Sequence, residues 1–171
     1  MPRNRPIALA ALLILGASVP PARASIVRHL SIKELAAAAT VVVIGEVRTV
    51  EAAWVGKRIM TTVRVDAASV LRGPVKAGQP VIVVVPGGEV DGIGQWVPGA
   101  PRFKPGERVL LFLVDRPVGR VVVGLGLGRL GIHREADGGE IATRDEGPTL
   151  GPGLTIPLAE VRRLVTHARP R

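Results

Sequence analysis

The chain has 171 residues, no cysteine and a formal net charge of +9, with Trp54, Trp96, Phe103 and Phe112 as its only aromatic residues. This length suits one domain rather than two. The missing cysteines exclude a disulfide framework, a thiol nucleophile and a thiolate metal site, so the fold must stand on packing alone.

Residues 1–24 read as a cleavable export signal. Arg3 and Arg5 give it a positive start, 7–19 is a short apolar stretch, and Ala22-Arg23-Ala24 places small residues where a signal peptidase reads. The apolar stretch is short for a membrane span and is closed by Pro20-Pro21, so cleavage before Ser25 is expected rather than a retained anchor. No cysteine follows the cut, which excludes a lipid anchor. The expected product is periplasmic or secreted, a single domain over 25–171. Losing Arg3, Arg5 and Arg23 lowers its formal balance from +9 to +6.

The exported part opens on a helix whose start is marked by Ser31 and Glu34 as an S-x-x-E capping box, with Leu30 and Leu35 placed as a hydrophobic staple. Ile32, Leu35, Ala36 and Ala39 fall on one face. Strands follow. Residues 40–50 begin as an apolar run and become alternating, and 59–67 alternate throughout, Ile59, Thr61, Val63 and Val65 opposing Met60, Thr62, Arg64 and Asp66. Val55-Gly-Lys57 joins the two as a hairpin. Further strands are predicted over 81–85, 108–114 and 119–125, the last two joined at Asp115-Arg116-Pro117. A final hairpin joins 132–135 and 141–144 across Asp137-Gly138-Gly139. A helix over 157–167 closes the chain, with Pro157 in its first turn and Leu158, Val161, Leu164 and Val165 as its apolar stripe. The pattern predicts a mainly β fold, a small OB-like barrel, closed or half-closed, with a helix at each end.

Residues 86–106 read as a long Gly/Pro-rich loop without regular structure. Such loops in compact domains are functional or disordered, and Val90, Ile93, Trp96, Val97 and Phe103 give this one something to bury. Two readings stay open: Trp96 and Phe103 plug the mouth of the barrel, or they form a partner-contact surface rimmed by Arg102, Glu89 and Gln95.

Other motifs are less specific. Gly126-Leu-Gly-Arg-Leu-Gly131 matches G-x-G-x-x-G, yet a strand rather than a helix is expected after it, so a glycine-marked bend explains it better than dinucleotide binding. The acidic residues Glu135, Asp137, Glu140, Asp145 and Glu146 lack the order of a calcium loop. His29, His133 and His167 lack zinc-ligand spacing. Ser25, Ser31 and Ser69 are not in a nucleophile elbow. No catalytic residue, metal or cofactor is expected, nor is nucleic acid, because the basic residues are scattered and stacking aromatics are few.

The order helix, Ala39-Thr-Val-Val-Val-Ile-Gly-Glu-Val47, Arg58-Ile-Met-Thr-Thr-Val-Arg-Val65, Val70-Leu-Arg-Gly-Pro74, then Lys104-Pro-Gly-Glu-Arg-Val-Leu-Leu-Phe-Leu113 resembles the netrin-like module. That module is the OB-type barrel of tissue inhibitors of metalloproteases and of complement C-terminal domains. In the inhibitors an N-terminal cysteine chelates the protease zinc through its amino group and carbonyl; Ser25 takes the matching position here. Pro86-Gly-Gly88 and Val97-Pro-Gly-Ala-Pro-Arg-Phe-Lys-Pro-Gly-Glu107 also resemble a group of exported bacterial proteins without an established activity, some encoded beside matrixin-like proteases. The short inventory of catalytic side chains and the loop over 86–106 point to a non-enzymatic binding module whose partner is a protein, and the resemblances suggest an extracellular protease as the class of that partner. The alternatives are a charge-driven binder of anionic envelope polymer, favoured by the basic balance, and a hydrolase built on a carboxylate pair brought together only in space.

Overall fold

The computed structural model describes residues 30–146 and 152–168. The export signal predicted over 1–24, the cleavage point at Ser25 and His29 lie outside the described residues.

The element order is α1 (Ile32–Ala38), β1 (Val41–Val55), β2 (Arg58–Arg72), β3 (Pro80–Pro86), β4 (Gly88–Val90), β5 (Ile93–Gln95), β6 (Arg108–Arg116), β7 (Gly119–Val122), β8 (Arg129–Arg134), β9 (Glu140–Arg144), β10 (Leu154–Pro157) and α2 (Leu158–His167). The main sheet runs β10-β9-β8-β6-β1-β2-β3, every pairing antiparallel, and β7 adds to β6. The fold is therefore mainly β, a curled half-barrel with a helix at each end, as the patterning predicts.

Two neighbours share one edge of β6: β8 takes Val109 to Leu111 and β7 takes Leu113 to Arg116. The sheet forks at Phe112, whose N–H donates to Gly128 O and whose carbonyl accepts from Val123 N. The predicted glycine bend lies in this fork. A Cβ on Gly128 would stand 2.9 Å from Val123 O and 3.0 Å from Phe112 O, so only glycine lets the returning chain close on β6. One branch carries β7 round to β3, where Gly119 meets Val84, but no ladder joins β3 to β7 and the barrel stays open along that seam.

The apolar run that opens β1 is buried on both faces, and alternate residues enter two cores. Val41, Val43 and Val47 face inward with Val63, Val65, Val83, Leu111 and Leu113. Val42, Ile44, Leu110 and Phe112 face outward against Leu35 and Ala36 of α1 and Leu158, Val161 and Val165 of α2. The capping box forms as expected, Ser31 Oγ accepting from Glu34 N and the Glu34 carboxylate accepting from Ser31 N at 2.9 Å. Half-buried Arg72 ties both helices down: its guanidinium donates to Ala36 O at the end of α1 and to Val165 O (2.7 Å) and Ala168 O at the end of α2. A cation there meets the negative ends of two helix dipoles.

Three expectations need correction. The stretch 86–106 is not without regular structure, because β4 and β5 form a hairpin within it. β10 has no counterpart in the patterning: it is four residues long and is held as a strand by pairing with β9. Pro157 ends β10 and stands at the position just before α2 rather than in its first turn.

Candidate functional site

The segment between β3 and β6 builds the site. β3 ends at Pro86, and the chain folds inward over the β1–β2 hairpin. Gly87 N donates to Ile59 O at 2.9 Å, and Thr61 Oγ1 donates to Gly87 O at 2.6 Å. A side chain on Gly88 would meet Thr61 Oγ1 at 2.5 Å, so the Pro-Gly-Gly sequence permits this crossing. Asp91 (φ 51°) and Gly92 (φ 77°) then turn β4 into β5, both in the left-handed region that a two-residue type I′ turn requires. The Asp-Gly pair was the available sequence signal for this hairpin, masked by the short arms on either side.

Gln95 ends β5 half-buried, its Oε1 accepting from Ile59 N at 2.6 Å. Val97 to Ala100 make a turn. Downstream, Gly106 N donates to Val47 O (2.8 Å) and Val47 N donates to Glu107 O (2.9 Å), at the register shift between Val47 and Thr49. The segment is thus pinned at both ends to the β1–β2 arm.

Between the pins, the two predicted anchors part company. Phe103 packs against the inner core, and the Arg129 guanidinium lies 5.8 Å from its ring centre. Trp96 is 70% exposed, the most exposed large apolar side chain among the described residues. Arg102 and Glu89 are also exposed.

Trp96 stands on a ridge between two hollows. The first, about 660 Å³, is lined by all five predicted contact residues, Trp96, Phe103, Arg102, Glu89 and Gln95, together with apolar Val50, Val85, Val97 and Ala100. The second, about 730 Å³, shares Trp96 and residues 100–102 as its wall and is completed by Glu107, Arg129, His133, Thr143, Arg144, Asp145 and Glu146. Here Arg129 pairs with Glu107. Burial pushes the pKa of Arg129 down, with Asp145 opposing that shift, and burial also pushes that of Arg144 down. Neither half-buried Arg129 nor buried Arg144 was legible as a site residue, since arginine is normally exposed.

Among the described residues, no group of three or more His, Asp or Glu side chains is placed to hold a metal ion. His133 and His167 are exposed and lie on separate elements. No helix there is long and apolar enough to cross a membrane. Comparison of the chain with protein-family models, with curated proteins and with solved structures returns no match.

Proposed function

We propose that the protein is an exported, non-enzymatic binding module that contacts a protein partner through residues 86–106. One observation carries the reading: an indole 70% exposed, on a segment tied at both ends to the sheet and flanked by two hollows. An exposed tryptophan on a preorganised backbone is the residue type and setting of an interface hot spot, because little backbone freedom remains to be lost on binding. Partner apolar groups would enter the first hollow beside Trp96, with Arg102 and Glu89 at its polar rim.

The order β1-β2-β3 and then β7-β6 round the curl supports an OB-like, netrin-like reading of the fold, and with it a secreted protease as the class of partner. The test is site-specific crosslinking in the producing organism. A photoreactive residue at Trp96 should give one discrete protein adduct. The same residue at Val118, 65% exposed on the β6–β7 turn, should give none. Equal smears from both positions would contradict a specific interface.

A further inference from the structure

The second hollow contains a charge that the protein leaves uncompensated. Arg144 is 7% exposed, its Nη1 donates to Leu127 O at 3.0 Å, and its Nε, sealed from solvent, has no acceptor. All fourteen acidic side chains of the chain fall within the described residues, and none lies within ion-pair distance of this guanidinium. The Nε of Arg129, in the same wall, is likewise sealed and without an acceptor, while its Nη2 pairs with Glu107. An isolated buried charge is strongly unfavourable. Packing alone would be better served by an apolar residue at this position.

We infer that the second hollow is a carboxylate-binding site, in which Arg144 and Arg129 hold a single negative charge brought by a ligand. Arg102 and Lys104 stand at the same wall and add attraction, while Glu107, Asp145 and Glu146 limit it. That balance suits one carboxylate and disfavours a dianion such as phosphate or a polyanionic chain. The hollow shares Trp96 and residues 100–102 with the first, so the source of the carboxylate is an acidic side chain next to the partner's apolar contact. The inference rests on the proposed binding function for this source only.

The experiment titrates the full exported chain with N-acetyl-leucyl-aspartyl amide, with its asparaginyl counterpart and with inorganic phosphate, following the arginine Nε–H signals by NMR. The aspartyl peptide should shift the Arg144 and Arg129 signals saturably, at least about tenfold more tightly than the asparaginyl peptide or phosphate, as a charge-assisted contact requires. Arg144→Met should melt no lower than wild type, because it removes an uncompensated charge, yet lose that preference. Arg144→Lys retains the charge without the planar fork and should bind more weakly than wild type. Equal response to the two peptides, tighter binding of phosphate, or an Arg144→Met protein that still prefers aspartyl would each overturn the site. If Arg144→Met fails to fold, the Arg144→Lys protein and the wild-type peptide preference decide the matter. Loss of crosslinking at position 96 with the aspartyl preference intact would instead count against the partner, leaving the carboxylate site standing.

Discussion

Gln95 reaches back across 36 residues to accept the backbone N–H of Ile59 at 2.6 Å. Ile59 is fully buried, so this side-chain oxygen satisfies a donor that water does not reach. The contact latches the β4–β5 hairpin to the β1–β2 arm and sets the position of Trp96, the next residue. Gln95→Ala should lower stability by about 1–3 kcal/mol, the usual cost of orphaning a buried donor. Urea unfolding measures the loss, and hydrogen exchange should show the Ile59 amide opening first. Unchanged protection at Ile59 would show that the latch is not what holds the hairpin.

Trp96 and Phe103 should respond in opposite ways to truncation. Trp96→Ala should stay within about 0.5 kcal/mol of wild type, as exposed positions do. Phe103→Ala removes a half-buried ring packed against the inner core and beside Arg129, with an expected loss of about 2 kcal/mol. Thermal melts of the two variants check the division. Similar losses from both would place Trp96 in the core after all.

Arg72 should behave as a clamp on two helices. Arg72→Ala strips the ends of α1 and α2 of a charged donor, and a cost of about 2–3 kcal/mol follows. Lysine, a point charge that lacks the fork, should recover only part. Far-ultraviolet circular dichroism across a urea series should show helical signal lost ahead of strand signal.

Stability should fall on acidification. The hydrogen bond from Arg48 holds the Asp66 carboxyl below its ordinary range, and that from Arg108 does the same for Glu140. A carboxyl depressed in the folded state contributes stability fully present above its unfolded pKa and lost as pH falls through the folded one. Both groups are open to solvent, so the effect is modest and weakens with salt. Asp66→Asn with Glu140→Gln should flatten the acid limb of a melting-temperature profile by modestly lowering the neutral plateau toward the acid value. An unaltered acid limb would refute the assignment.

Much of this architecture can be read from local pattern. Alternation along Ile59 to Asp66 predicts the inward and outward faces of β2, and Ser31 with Glu34 marks the start of α1. The unbroken run Val41 to Ile44 signals two buried faces. What stays hidden depends on distant partners. β10 exists through β9, the fork at Phe112 depends on a chain returning sixteen residues later at Gly128, and Arg72 and Arg144 are arginines drawn inward by carbonyls elsewhere in the fold. Phe103 and Trp96 look alike in sequence, seven positions apart in one Gly/Pro-rich stretch. Only the path of the chain across the curled sheet packs one ring against the inner core and leaves the other outside.

The most direct test is affinity capture from the producing organism's envelope and culture fluid, with wild-type protein beside a Trp96→Ala variant of matching melting temperature. The account predicts one protein retained by wild type at moderate salt and lost by the variant. Equal recovery by both, or recovery only of anionic polymer that disperses as salt rises, would contradict it.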